Sequence, residues 1–122
     1  MKFLTLRGAD GIQGTTGNIG TKGYFGLGVN YTSTSFYHDF WEWDQTTNSW
    51  TQKATYPGGG CRSLIGFAIG TKFYVGAGLD ANANGVDYDD FWEWDQGTNT
   101  WTQKANFPGG ARCSCVSFSV GN

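Results

Sequence analysis

Two pairs of carboxylates are the residues of this 122-residue chain whose type and spacing come closest to acid–base chemistry. Glu42 and Asp44 lie two positions apart, and Glu93 and Asp95 repeat that spacing. Two carboxyl groups on one face of a strand could serve as the acid and the base of a glycosidic cleavage. An active site is normally built once, so a pair that occurs twice favours a role in the scaffold. We therefore predict no catalytic residue and no enzyme.

Nucleophilic and metal chemistry have few candidates in this chain. His38 is its one histidine, and its three cysteines are Cys61, Cys113 and Cys115. Cys113 and Cys115 lie two apart on a predicted strand, so we expect thiols rather than a bond between them, while pairing with Cys61 stays open. A structural metal site needs more ligands than these residues bring to one element. We expect no cofactor and no resident metal.

One loop matches the opening of a calcium-binding motif. Asp80, Asn82, Asn84 and Gly85 follow the pattern D-x-[DN]-x-[DN]-G, which places alternating oxygen ligands around a sharp turn. Phe91 stands where that motif requires its bidentate Glu. Two interpretations stay open, a calcium loop and a polar turn rich in Asn and Gly, and the missing Glu favours the turn.

Composition predicts an all-β protein. The chain has 20 Gly and only 2 Pro, with 6 Trp, 6 Tyr and 9 Phe, which favours strands joined by tight turns. The net charge of -2 argues against nucleic acid as the main partner. There is no apolar run of about 18 residues for a membrane span. Residues 1–6 make a poor signal peptide, so the cytoplasm is the default expectation.

An internal repeat organises most of the chain. Residues 39–60 and 90–111 are identical at 17 of 22 positions with an offset of 51. Upstream, residues 19–28 and 69–78 match with an offset of 50. A period of about 50 residues is the length of one four-stranded propeller blade.

The second repeat predicts four strands. We expect them at residues 62–69, 73–78, 88–95 and 100–105, with a short hairpin turn at 96–99. Each strand is bounded by Gly, Asn or Thr residues that suit turns. The same order is expected in the first repeat.

Four tryptophans are predicted to pack between neighbouring sheets. Trp94 and Trp101 lie seven positions apart across the predicted hairpin, and Trp43 and Trp50 repeat that spacing. Alternation along the third strand places Trp92 on the same side as Trp94. A strand with large apolar groups on both faces is typical of a sheet that has a neighbour on each side.

These residues resemble the Kelch repeat, in particular that of bacterial Kelch-type proteins, over residues 18–122. The second strand ends in glycines, and a tryptophan follows in the third strand and another in the fourth. The residues that carry the resemblance are Gly26, Gly28, Trp43 and Trp50 in the first copy and Gly76, Gly78, Trp94 and Trp101 in the second. The chain departs from the family in having Gly-Leu-Gly and Gly-Ala-Gly instead of a Gly-Gly doublet. It also has two repeats, whereas the family forms rings of six or seven blades.

The ends of the repeats suggest how a ring could be completed. We divide the chain into an N-terminal segment with a possible extra strand (1–17), a first blade whose innermost strand is missing or degenerate (18–60), a second blade (61–111) and a last strand (112–122). Residues 112–122 would complete a blade of a neighbouring chain, because an unpaired edge invites pairing. Three chains give six blades and four give eight, and we favour a homotrimer. Alternatively, residues 1–6 supply the missing strand.

The resemblance implies a non-enzymatic binding or scaffold module, because Kelch-like proteins mostly bind other molecules through loops at one end of the ring. The loops between second and third strands, at residues 29–37 and 79–89, are the expected contact surface for a protein or glycan ligand. One alternative is a carbohydrate-active enzyme or carbohydrate-binding propeller. The family's sugar oxidases use Tyr and His ligands to copper, and one His per chain argues against that chemistry. Another alternative is a fragment of a larger propeller protein without independent function.

Overall fold

A computed structural model describes residues 15–30, 35–60, 62–79, 86–113 and 115–116. These residues form ten β-strands and no helix, which confirms the all-β prediction. No helix long and apolar enough to cross a membrane occurs in this described part. In chain order the strands are β1 (Thr15–Ile19), β2 (Lys22–Gly26), β3 (Val29–Asn30), β4 (Ser35–Phe36), β5 (Phe40–Asp44), β6 (Ser49–Lys53), β7 (Ile65–Ile69), β8 (Lys72–Gly76), β9 (Phe91–Asp95) and β10 (Thr100–Lys104).

The strands form two matching four-stranded antiparallel sheets. The first has the order β1-β2-β5-β6, and the second has the order β7-β8-β9-β10. The strands β3 and β4 pair as a separate small hairpin within the connection from β2 to β5. The repeat in the sequence therefore corresponds to one four-stranded sheet, and each connection from the second to the third strand leaves the sheet as a longer loop.

The strands of the second sheet lie close to their predicted positions but are shorter. β7 begins at Ile65 rather than at residue 62, because Ser63 has a positive φ of 54° and Arg62 makes an isolated bridge with Leu79 instead. β9 begins at Phe91 rather than at residue 88. The turn predicted at 96–99 is present, with the Asn99 amide donating to the Asp95 carbonyl at 2.8 Å.

The innermost strand of the first sheet, predicted to be missing or degenerate, is present as β1, with a polar sequence that contains a glycine. β1 pairs with β2 from Thr15 opposite Gly26 to Ile19 opposite Lys22. Pairing uses backbone N–H and C=O groups, which a polar, Gly-containing segment supplies as well as an apolar one. β2 therefore has a partner on each side, so the position predicted for an exchanged C-terminal strand is already filled. Residues 1–14 and most of 112–122 lie outside the described residues, and residues 112, 113, 115 and 116 are not in a strand.

The two sheets pack face to face, with β1 lying against β7 and β8. The ring of Phe40 lies 5.1 Å from Trp94, 5.4 Å from Phe73 and 5.2 Å from Trp101, measured between ring centroids. Phe40, Phe73 and Trp94 are fully buried. Tilted and edge-to-face arrangements of this kind are the favoured geometries of aromatic pairs. Trp94 and Trp101 thus pack between the sheets, as predicted, whereas Trp43 and Trp50 lie on the outward face of the first sheet.

Hydrogen bonds across the contact set how the sheets lie on one another. The Gln96 amide donates to Tyr24 Oη at 2.8 Å. The backbone amide of Ala54 donates to Asn99 Oδ1 at 2.9 Å, and Trp101 Nε1 donates to the Ala54 carbonyl at 2.8 Å. Because partly buried polar groups are costly when left without partners, these bonds favour one arrangement of the two sheets over other stackings.

Candidate functional site

The two loops between second and third strands are joined into one surface by the segment that links the sheets. The backbone amide of Tyr56, in this linker, donates to the carbonyl of His38 in the first loop at 2.9 Å. The amide of Gly59 donates to Asp90 Oδ2 in the second loop at 3.2 Å. We call this surface the loop surface; its described residues are 29–30, 35–39, 56–60 and 86–90. It is the candidate binding surface of the chain.

Backbone conformation at the ends of β2 and β8 directs both loops away from the sheets. Leu27 and Ala77 follow these strands and have positive φ angles of 62° and 57°. Gly76, the last residue of β8, allows close approach of the next strand, because a Cβ there would lie 2.7 Å from the Asp90 carbonyl oxygen. A residue with a side chain fits poorly at such a position. The equivalent Gly26 faces Asp39 in the same way.

Exposed aromatic side chains occupy the first loop's part of the loop surface. Phe36 is 38% exposed and Tyr37 is 42% exposed. Phe36 lies opposite Val29 in the β3–β4 hairpin, and the Tyr37 amide donates to the Gly28 carbonyl at 3.0 Å, so the backbone that carries both rings is held in place. Exposed aromatic rings on a fixed backbone offer apolar faces to a ligand at little entropic cost. The second loop adds Val86 as an exposed apolar residue.

His38 is positioned by the linker. Its ring stacks on Tyr56 with a centroid distance of 6.2 Å and an interplanar angle of 19°, and its Nδ1 lies 3.4 Å from the Tyr56 carbonyl oxygen. Tyr56 also packs edge to face against Trp101, at 5.2 Å. The structure thus places His38, the one histidine of the sequence, on the loop surface beside an aromatic ring.

A buried polar pair lies beneath the loop surface. Within the described part of the chain, Tyr56 Oη and Asp90 Oδ1 are buried without a hydrogen-bond partner. Burial raises the pKa of the Tyr56 phenol, and the nearby Asp90 carboxylate raises it further. The other oxygen of Asp90 accepts a bond from Trp92 Nε1 at 2.8 Å. Tyr56 therefore stays protonated at neutral pH.

The carboxylate pairs lie on sheet faces, where lysines neutralise them. Glu93 accepts a hydrogen bond from Tyr74 Oη at 2.8 Å and forms an ion pair with the ammonium of Lys104 at 3.3 Å. Asp95 forms an ion pair with Lys72, and the hydrogen bond from that lysine lowers the pKa of Asp95.

The first sheet repeats this arrangement. Glu42 accepts from Tyr24 at 2.6 Å and lies 3.4 Å from the ammonium of Lys53, while Asp44 is paired with Lys22. A hydrogen bond from Lys22 lowers the pKa of Asp44. Each carboxylate is thus engaged with a cation in its own sheet, which supports the scaffold role inferred from the repeat.

The remaining candidates from the sequence are dispersed. Cys113 and Cys115 are thiols that line an open pocket on the outward face of the second sheet, away from His38. The possible calcium residues Asp80, Asn82 and Asn84, like Cys61, lie outside the described residues. No group of three His, Cys, Asp or Glu side chains that could hold a metal occurs among the residues the structure describes.

The linker is the part of the site that sequence reasoning missed. Pro57 is followed by three glycines, and the equivalent Pro108 by two; by residue type alone these positions indicate only a break between strands. The glycines were the sequence signal for this packed segment. In the structure a Cβ at Gly60 would lie 2.6 Å from the Ala77 carbonyl oxygen, so a larger residue would not fit there. Close backbone approach of this kind marks a segment packed against another element.

Comparison with known proteins supports the fold. The solved structure of YjhT aligns with this chain with a TM-score of 0.69 and 16% sequence identity, covering 82% of this chain and 39% of the YjhT chain. The chain thus corresponds to about two fifths of the length of that structure. No family model and no curated protein matches the sequence. At this level of identity the similarity shows that the two proteins share an all-β fold over the aligned region.

Proposed function

We propose that this chain is a non-enzymatic binding and scaffold module in which each four-stranded sheet is one Kelch-like propeller blade. The observation that carries the proposal is the loop surface. The linker bonds to His38 in the first loop and to Asp90 in the second, so loops of neighbouring sheets form one continuous surface. Binding residues concentrate on loops that a rigid framework holds in place.

Several copies would complete the ring of blades. Two sheets leave one outward face at each end of the stack, and such head-to-tail units close into rings when the angle between them fits. Three copies supply six blades and four supply eight; we favour the homotrimer. A ring of three would present the loop surface three times and bind a multivalent ligand with increased avidity.

A protein or a glycan is the proposed ligand. Phe36 and Tyr37 offer exposed ring faces, on which a sugar ring or an apolar peptide side chain can stack. The hydroxyl of Tyr37 adds a donor and acceptor at the rim of that apolar patch. A carbohydrate-binding propeller is the second candidate, favoured by these same two rings.

Binding arrays test the proposal. Labelled wild-type protein is applied to glycan and peptide arrays beside the double variant Phe36→Ser/Tyr37→Ser and the control Thr98→Ala, which changes an exposed turn at the opposite end of the second sheet. We expect a ligand whose binding falls about tenfold or more in the double variant and is unchanged in the control. A double variant that binds every array ligand as the wild type does, or a wild type that binds none, overturns the proposal.

A further inference from the structure

The two outward faces of the stack are repeat equivalents of the two faces that are buried inside it. Inside the chain, the face of the first sheet that carries Tyr24 and Phe40 packs against the face of the second sheet that carries Phe73 and Trp94. We call the outward face of the first sheet the leading face; its residues are Phe25, Trp41, Trp43 and Trp50. We call the outward face of the second sheet the trailing face; its residues are Phe67, Tyr74 and Phe91, with Phe107 beside them.

Equivalent residues are buried inside the stack and exposed at its ends. Tyr56 is 1% exposed, whereas Phe107, its counterpart in the second repeat, is 45% exposed. Ile19 is 6% exposed and its counterpart Ile69 is 46% exposed. On the leading face Trp50 is 56% exposed. Large exposed apolar groups gathered on one face are typical of surfaces that bind another protein.

We propose that the leading face of one copy packs on the trailing face of a second copy, reproducing between copies the contact that joins the two sheets within the chain. This inference rests on the proposed assembly of copies into a ring and names the surface that joins them. The polar contacts follow from the repeat. Gln45 would take the role of Gln96 and donate to Tyr74 of the other copy, and Asn48 would accept from the amide of Ala105 as Asn99 does from Ala54.

A large and a small side chain face each other near Tyr24 within the chain. In the proposed contact, near Tyr74, the large side chain and the small one have changed sheets. Within the chain, the second sheet presents Phe73 near Tyr24, at 5.9 Å, and the residue paired with Tyr24 on β1 is Gly17. Between copies, Phe67 replaces that glycine and stacks on Tyr74 at 5.3 Å, while the facing sheet has Gly23 where Phe73 would be. Both contacts, the one within the chain and the one between copies, thus combine one aromatic ring with one glycine. A single ring fills the space between the sheets in each contact, which avoids both a cavity and a clash.

A second exchange has the same sense. Leu27 and Val75 are both buried in the core between the sheets. Their counterparts are Ala77 on the second sheet and Phe25 on the first, so the smaller residue on one face is matched by the larger residue on the other. Changes that conserve volume are the ones that packed interfaces tolerate best. In both exchanges a residue of the leading face compensates in size for a residue of the trailing face of the same sequence. The partner that fits is therefore a second copy of this chain.

Complementation of two surface variants tests this contact. Trp50→Asp removes the leading face and leaves the trailing face intact, and Phe107→Asp does the reverse. Both side chains are exposed in the single chain, and circular dichroism verifies folding. Light scattering should show an assembly of several copies for the wild type, with three expected, and monomers for either variant alone. Mixed in equal amounts, the two variants should form a heterodimer that grows no further, because only one intact pair of faces remains.

Matched controls and contrary outcomes complete the test. The control is Gln52→Asp, because Gln52 lies on the same strand and face as Trp50. Its counterpart Gln103 stays exposed in the contact within the chain, so this variant should assemble as the wild type does. The milder pair Trp50→Gln and Phe107→Gln should show the same complementation. A monomeric wild type, or variants that assemble normally, overturns the proposed contact. A monomeric wild type would also overturn the proposed ring, whereas an assembled wild type with variants that assemble normally would overturn this contact alone. Ligand binding by the loop surface is measured separately and does not depend on either outcome.

Discussion

Truncating Phe40 and its repeat counterpart Phe91 should separate packing between the two sheets from packing within one sheet. Phe40 is fully buried, and four rings surround it: Tyr24, Phe73, Trp94 and Trp101, at centroid distances of 5.6, 5.4, 5.1 and 5.2 Å. Replacing a core Phe with Ala typically costs about 3–5 kcal/mol, because transfer energy is lost and a cavity remains. With four rings unable to close the gap, we expect Phe40→Ala to fall in the upper part of that range.

Phe91 has the same strand position but a different environment. It is half-buried on the trailing face and contacts Phe67 and Tyr74, at 6.0 and 5.7 Å. With roughly half the apolar area lost and solvent able to enter the gap, Phe91→Ala should cost about 1.5–2.5 kcal/mol. The two variants should therefore differ by about 2 kcal/mol, more than tenfold in the unfolding equilibrium.

Urea denaturation followed by tryptophan fluorescence measures both costs. The substitutions are made in the Trp50→Asp background, where we expect a monomer, so that no second copy covers Phe91. Unchanged slopes against urea would show that the denatured state is the same in both variants. Equal costs for Phe40→Ala and Phe91→Ala in the monomer would refute the stacking of the two sheets described above. In the wild-type background the two costs should converge, because the proposed contact buries Phe91 as well.

Three further outcomes follow from individual contacts. Burial, and to a smaller extent the hydrogen bond to Glu93, raises the pKa of Tyr74 to about 12. In the unfolded chain this phenol ionises near pH 10. The free energy of unfolding should therefore fall as the pH rises from about 10 towards 12. Replacing Tyr74 with Phe should flatten that part of an alkaline urea titration, and an unchanged slope contradicts the assignment. Asn99→Ala breaks the bond to the linker amide and should cost about 1–3 kcal/mol of stability. Its counterpart Asn48 has a similar positive φ on the leading face, so Asn48→Ala should destabilise the monomer measurably less. Equal shifts in melting temperature would contradict this prediction. Gly70→Ala should cost about 1 kcal/mol through its positive φ alone, and Gly76→Ala clearly more through the clash with a neighbouring carbonyl, which thermal unfolding can compare.

The repeat and the side-chain alternation were sufficient to predict the second sheet. Trp92 and Trp94 share a face and Phe91 lies on the other, because side-chain direction in a strand is fixed by its period of two. Strand ends were less predictable. β7 begins three residues later than expected because Ser63 adopts a positive φ, which residue type alone does not indicate.

The first sheet shows where residue type misleads. Thr15–Ile19 contains polar residues and a glycine, so its apolar content did not indicate a strand, yet it pairs with β2 along its whole length. Gly17 pairs with Tyr24, the ring that Phe73 from the other sheet approaches. Glycine is disfavoured in strands, so the place of Gly17 in β1 follows from pairing with β2 and not from local propensity.

The sequence by itself determined the all-β class, the two equivalent units and the side of each strand that is apolar, since these depend on periodicities of two and about 50 residues. Only the tertiary structure decided which of the equivalent faces is buried, because two equivalent sheets stacked in the same sense necessarily leave one copy of each face outside. It also decided that the linker joins the two loops. That joining depends on the Tyr56 amide donating to the His38 carbonyl and on the Gly59 amide donating to the Asp90 carboxylate, and no local pattern specifies either bond.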